Sequence, residues 1–267
     1  MLITIRKKIW VKKSILIKLW KIQMNRFNNK NTVLELSGKQ VHILATKRKD
    51  YVKSAIYCAN SILAYSPDLT IMIHTDEMNL EVFNSKFQKF VKKRQVRFNV
   101  LSGEMTWQRQ KMHLILNEMN SNDLFSDSDI FWNGRLPECK KALIFVEELE
   151  KFEKDPYATL SNFCGWDEEI SMRMYNTSVV SLGSNINKLE FKLDAEQAWD
   201  RIASVLSMND FPEIWKPKIL RLIEQISISY AFSKLKKEEF ELLKDQDSPM
   251  DGSIAESYYL GTIFNWD

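Results

Sequence analysis

With 267 residues, 45% of them hydrophobic and 12% aromatic, the chain can build one large α/β domain or two small ones, which excludes global disorder. Seven glycines and six prolines are too few for a repeat-rich all-β protein or long flexible linkers, and three scattered cysteines (Cys58, Cys139, Cys164) make neither a disulfide framework nor a zinc site. The net charge of +3 conceals an asymmetry: residues 1–30 hold nine Lys or Arg and no acid, leaving the rest of the chain near −6.

That basic stretch carries Trp10 and Trp20 but no charge-free run near the ~20 residues needed to span a bilayer. Its apolar core at Ser14–Ile17 is also too short for a secretory signal. Residues 1–37 are therefore expected to form an arm, either a disordered or partner-bound tail or a peripheral contact with an anionic membrane. Nothing in the body supports nucleic-acid binding. A reducing, cytoplasmic setting fits the cysteine usage.

Gln40–Thr46 is a short apolar run and the first expected strand. Tyr51–Tyr65 carries a helical stripe (Val52, Ala55, Ile56, Ala59, Ile62, Leu63) that Ser66-Pro67-Asp68 ends. Leu69–His74 is a second strand, Leu80–Val91 an amphipathic helix, Gln95–Leu101 a third strand and Thr106–Met119 a helix. Strand and helix in alternation predict an α/β fold, a mostly parallel sheet with helices on both faces. Further on, Tyr157–Cys164 and Met172–Leu182 read as strands, and Leu193–Ser207 and Trp215–Leu235 as helices. Lys236–Gly252 reads as a charged loop and Ile254–Phe264 as a last strand, so residues 38–267 are expected to form a single domain.

Chemistry concentrates at Asn122–Asn133, where Asp127 and Asp129 stand one residue apart in an apolar run. In an extended chain they leave the same face, and like charges that close raise each other's pKa unless a cation intervenes. A hard ion, Mg²⁺ or Mn²⁺, resolves the conflict and can hold two phosphates. The alternative is a polar turn at a strand end. Ligands on such sheets bind at the carboxyl ends of strands, where Ala45-Thr46-Lys47 and Thr75-Asp76 would join the aspartates.

With these pieces in place the chain resembles the GT-A class of nucleotide-sugar glycosyltransferases, whose fold is Rossmann-like. The resemblance rests on Val41–Lys47 as first nucleotide-binding strand, Gln110-Lys111 ahead of Asp127-Ser128-Asp129-Ile130, and Asn176–Leu182 as an Asn-Thr-Gly-like strand. Glu224-Gln225 and Tyr258-Tyr259-Leu260-Gly261 complete it. It implies that Asp127 and Asp129 hold Mn²⁺ or Mg²⁺. It implies further that Ala45, Thr46, Lys47, Asp76, Arg109, Lys111, Ser128, Tyr258 and Gly261 line the nucleotide-sugar donor. Asn176, Thr177 and Trp166 would then border a glycan or lipid-linked acceptor. Glu224 would be the general base of an inverting reaction, or Gln225 or a backbone group would serve a retaining one.

Two departures matter: Tyr258 stands where the class often has a third metal ligand, His, and Ser178 replaces a glycine. They keep open a non-catalytic relative that only binds a nucleotide sugar. A phosphatase of the haloacid dehalogenase type also uses Asp-x-Asp, but near the start of its domain. Asp76 can equally cap the next helix. His42, His74 and His113 read as structural, and Trp132 and Trp166 as core or sugar-stacking rings.

Overall fold

A computed structural model describes residues 39–92, 95–101, 105–132, 136, 139–147, 154–166, 174–243 and 255–257, some of them by backbone alone. The arm (1–37) and the Tyr258–Gly261 segment lie outside these residues.

Strand β1 (Gln40–Ala45) leads into helix α1 (Lys49–Tyr65), then β2 (Thr70–Thr75), α2 (Glu77–Lys92) and β3 (Val96–Val100). Helix α3 (Trp107–His113) continues as a π-helical turn, Leu114–Glu118, before β4 (Leu124–Ser126) and β5 (Ile130–Trp132). Then follow β6 (Ala142–Glu147), α4 (Lys154–Cys164), β7 (Tyr175–Ser181), α5 (Lys188–Ser207), α6 (Lys216–Ser233), β8 (Phe240–Leu243) and β9 (Ala255–Ser257). The main sheet runs β3-β2-β1-β4-β7-β6-β8, and β5 pairs with β9 in a small separate one.

Alternation within the strands sets the two layers. Val41, Ile43 and Ala45 of β1 face a core built with Val52, Ala55, Cys58 and Ile62 of α1 and Phe83 and Phe87 of α2. Leu44 faces the other way, toward Met112, Phe125, Phe191 and Phe232. Burial on both faces is why these strands read as unbroken apolar runs. A third apolar cluster joins α4, α5 and α6 around Leu160, Ile202, Phe211 and Ile223.

Strand β7 is antiparallel to both neighbours, β4 and β6, in an otherwise parallel sheet. Its amino end therefore lies at the carboxyl end of β4, and the Asp127 amide donates to the Ser178 carbonyl at 2.6 Å. Gly183, just past β7, has φ +65°, and a Cβ there would stand 2.3 Å from the Lys141 carbonyl carbon. Only glycine lets the chain turn this close to β6.

Several expectations are corrected. Tyr157–Cys164 is not a strand but most of α4. Pro156 sits in its first turn, where a missing N–H costs nothing, and Leu160 and Cys164 recur at helical spacing on the buried side. Lys236–Gly252 is not wholly a loop, because Phe240–Leu243 pairs in parallel with β6. Strand β6 itself falls in a stretch the sequence reading leaves unassigned. The acidic segment is not one extended strand either: Ile130 donates its N–H to the Asp127 carbonyl at 3.3 Å, so Asp127–Ile130 is a turn between β4 and β5. The three cysteines are buried and form no disulfide. Among the described residues no helix is long and apolar enough to cross a membrane.

Candidate active site

Four side chains from four elements meet beyond the end of β4. The Lys111 ammonium, on α3, lies 3.0 Å from the Asp127 carboxylate and 3.1 Å from Glu224 Oε1 on α6. The Thr177 hydroxyl, on β7, donates to the same Glu224 oxygen at 2.6 Å. Lys111 and Glu224 are only 3% and 4% exposed at their side chains, and Asp127 is 17% exposed. The ion pairs are thus largely shielded from water, with Asp127 the most exposed of the three.

Local sequence explains how each arrives. Thr106 caps α3, its hydroxyl accepting the Arg109 N–H at 3.3 Å. One turn in, Trp107 and Lys111 share a face at i,i+4, and the ammonium sits 5.2 Å from the Trp107 ring and 5.0 Å from that of Phe125. The π-helical turn follows directly, with the Met119 N–H donating to the Leu114 carbonyl. Such bulges recur at functional sites.

The electrostatics are unbalanced. Lys111 brings one positive charge against three carboxylates, Asp127, Asp129 and Glu224. Burial pushes the Asp127 carboxyl up to about 7; Lys111 opposes the rise, and Asp129 and Glu224 add to it. Asp129 is also raised, by burial against the pull of its own backbone amide and of Lys111. Burial alone would lower the Lys111 pKa, but the carboxylates of Asp127 and then Glu224 outweigh it and raise it. The Cys58 thiol beneath the turn is pushed up to about 12, chiefly by burial, so it stays protonated and unreactive.

Two buried side-chain N–H donors, on α6 and α3, have no hydrogen-bond partner. Gln225 is 9% exposed, and its Nε2 makes no hydrogen bond. The Trp107 indole Nε1 is likewise buried without one. A buried N–H left unpaired costs about 1–3 kcal/mol.

Other sequence candidates fall differently. Thr46 is buried and donates to Gln110 Oε1 at 3.0 Å, which ties the end of β1 to α3. Ala45 packs its methyl into the core, while its carbonyl accepts the Thr75 hydroxyl at 2.8 Å. Lys47 has φ 69°, and its N–H donates to Asp76 at 2.5 Å. Asp76 also accepts from the Asn79 amide and side chain at 3.0 and 3.1 Å, so both its oxygens are engaged at the start of α2. This is the geometry of a helix cap.

Arg109 stacks 5.1 Å from the Trp199 ring on α5 rather than joining Lys111. Trp166 packs against Tyr230 at 4.6 Å within the third core cluster. Trp132 is fully buried with its indole N–H on Ser126 at 3.1 Å, so it is core and no platform for a sugar. Asn176 accepts the Ser178 N–H at 2.8 Å. Ser128 is buried in the turn between the aspartates. Tyr258 and Gly261 lie outside the described residues, but the register Ile130↔Ser257 sets the end of β9 beside the residue that follows Asp129.

The sequence reading missed Trp107 as a neighbour of the site; its i,i+4 spacing from Lys111 was the available signal. It also had no means of seeing that Lys111 bridges Asp127 and Glu224.

No protein-family model matches this sequence. No curated protein does either. Among solved structures, the bifunctional glycosyltransferase WbbM aligns with a TM-score of 0.50 over 80% of this chain at 12% identity. This chain spans only 40% of the WbbM chain. The galactosyltransferase LgtC, solved with donor and acceptor sugar analogues, aligns over 82% of this chain and 87% of its own at 12% identity and a TM-score of 0.47. The glycosyltransferase GlyE of Streptococcus pneumoniae TIGR4 covers 78% of this chain and 45% of its own, at 13% identity and a TM-score of 0.43. At such identities the likeness is one of architecture, and the fold is of the GT-A type.

Proposed function

We propose that this chain is a metal-dependent glycosyltransferase. It would move a sugar from a nucleotide-diphosphate donor, a UDP-sugar, to a hydroxyl of a saccharide or lipid-linked acceptor. The observation that carries the reading is Lys111, a buried ammonium held between Asp127 and Glu224 at the open end of β4. Fold alone would not suffice, since one fold hosts many chemistries.

The residues present fit a hard divalent ion. Two carboxylates crowded at one turn leave a surplus of negative charge, and Mg²⁺ and Mn²⁺ take one or two carboxylates together with phosphate and water. Among the described residues no group of three or more His, Cys, Asp or Glu is placed to hold a metal. Asp127 and Asp129 would hold the ion, which when bound neutralises charge on the leaving diphosphate.

The chain's own groups then divide the remaining work. Lys111 keeps Asp127 and Glu224 at fixed separation and adds a fixed positive charge beside the phosphates. Thr177 orients Glu224 through its 2.6 Å bond. Because Glu224 Oε1 is committed to Thr177 and Lys111, any proton transfer falls to Oε2. Gln225 offers its unpartnered N–H to a hydroxyl or ring oxygen of the sugar.

Calorimetry with UDP and Mn²⁺, run on the wild type and on Asp129→Ala, tests the reading. Metal-dependent binding lost in the variant, together with metal-dependent hydrolysis of one nucleotide sugar in a donor screen, supports it. Phosphatase turnover without nucleotide would overturn it in favour of phosphoryl chemistry. Binding with no hydrolysis of any donor would reduce the chain to a nucleotide-sugar binder.

A further inference from the structure

Where α5 hands over to α6, the chain leaves large apolar side chains in solvent. Ile214 is 80% exposed and Leu220 57%, and Met208 at the end of α5 is exposed as well. A loose connection is not the cause. Phe211 is buried and anchors it, edge-on to Phe163 at 5.4 Å and beside Trp215 at 6.5 Å. The Lys216 ammonium ties its two ends, donating to the Met208 carbonyl at 3.0 Å and to Glu213 at 2.5 Å.

Charge follows the same arrangement. Ile214–Ile223 holds Lys216, Lys218 and Arg221, Trp215 and five Ile or Leu, with no acid, in a body whose net charge is near −6. Lys218, Leu220 and Arg221 are all exposed. Cations laid beside exposed Ile and Leu suit a lipid headgroup layer, where the charges meet phosphates and the apolar groups enter at the acyl boundary. Exposed apolar side chains gathered in this way mark an interaction surface.

Position along the helix links this patch to the charged cluster. Pro217, Leu220, Arg221 and Glu224 stand at i, i+3, i+4 and i+7, on one stripe of α6. The stripe is exposed over its first turns, and its next member, Glu224, is buried against Lys111 and Thr177. Arg221 and Glu224 are only about 5 Å apart along the axis.

We propose that the exposed start of α6, with Ile214 ahead of it, seats this protein on an anionic lipid surface. Ile214 and Leu220 enter the interface, and Arg221 with Lys218 meets the headgroup phosphates. An acceptor anchored in the same lipid layer is thereby brought to within about one helical turn of Glu224. That last step rests on the transferase reading; the lipid contact does not.

The test uses the full chain and two kinds of vesicle, with no donor and no turnover. One is phosphatidylcholine alone, and the other is equal parts phosphatidylglycerol and phosphatidylcholine. Cosedimentation should show binding to the anionic vesicles that weakens as salt is raised. Ile214→Ser combined with Leu220→Ser should weaken it about tenfold or more. Arg221→Gln should weaken it about fivefold, the worth of one cation near an anionic surface. All three side chains are exposed, and melting checks that the variants fold.

The basic arm also bears charge that such vesicles attract, so the place of contact is read separately. The native cysteines are buried, so Ile214→Cys and Leu189→Cys each take an environment-sensitive dye at one chosen position. Leu189 is 66% exposed at the start of α5, about 28 Å along that helix from Met208. Anionic vesicles should blue-shift the dye at 214 and leave the one at 189 unchanged. Binding undiminished by the double substitution, or no shift at 214, would overturn the proposal. A wild-type dimer in light scattering that the double substitution abolishes would overturn it in favour of a second copy of this chain. Vesicle contact without transfer to any acceptor would count against the transferase reading and leave the lipid contact standing. Transfer to a soluble saccharide with no vesicle contact would do the reverse.

Discussion

Two buried polar systems lie within this one sheet, and they are built on opposite terms. The chain from Asp123 through His42 and His74 to Asn99 crosses adjacent strands, with each link at hydrogen-bond distance. Burial works to push the Asp123 carboxyl up, but the His42 ring and the Asn120 and Gln40 amides win and hold it below its usual range. The cluster at Lys111 draws on helices and strands far apart in sequence and leaves two carboxyls with raised pKa values. A protein settles polar groups that only support the fold, and keeps charge unsettled where a ligand is to settle it.

The largest way to break this contrast is Lys111→Ala. It strands Asp127 and Glu224 without their cation, and loss of one partner of a buried pair costs about 3–5 kcal/mol. Denaturant melts should show that loss near neutral pH, while Mn²⁺ should restore part of it. A loss under about 1 kcal/mol would mean that the pair is effectively solvated.

Acid sharpens the comparison next. The native His74 stays neutral down to about pH 3, whereas in the unfolded chain it takes up a proton below about 6.5. Its contribution is therefore fully present above 6.5 and lost as pH falls toward 3, by about 1.4 kcal/mol per pH unit. Asp127 acts with the opposite sign. Its native carboxyl holds a proton up to about 7 and its unfolded one only up to 3.8, so its contribution is present at low pH and lost as pH rises through 7. The two oppose each other between about pH 4 and 6.5. Asp127→Asn should thus steepen the acid loss, and stability measured from pH 7 to 4.5 in both proteins tests the sign.

The smallest effect is expected at Thr177→Val. It removes a hydrogen bond to a charged group, costing about 1.5–3 kcal/mol of stability, the lower end if water replaces the hydroxyl. The more telling readout is affinity for UDP and Mn²⁺. That affinity should change less than in Lys111→Ala, because Thr177 acts on Glu224 and not on the aspartates.

Much of this was legible in advance, for reasons of distance along the chain. Hydrophobic period is a local property, so the order of β1 through α3, and the layers on both faces, followed from stretches of a few turns or strands. Lys111, Asp127, Thr177 and Glu224 were each singled out, but as isolated suspects with separate roles. The segment 157–164 was misread because aromatic and β-branched residues mimic a strand over so short a run, and only its packing on α5 and α6 resolves the period. Trp132 offered a sugar platform on paper and a buried hydrogen bond in fact.

By itself the sequence determined the α/β alternation, the acidic stretch and the residue types able to do charge chemistry there. It could not decide that β7 would run against its neighbours, which is what brings Thr177 to Glu224 across 47 residues. Nor could it decide that one ammonium would be shared by two carboxylates. Secondary structure is fixed by neighbours in the chain, whereas an ion pair is fixed by where the whole chain places two distant side chains and how much water it leaves between them.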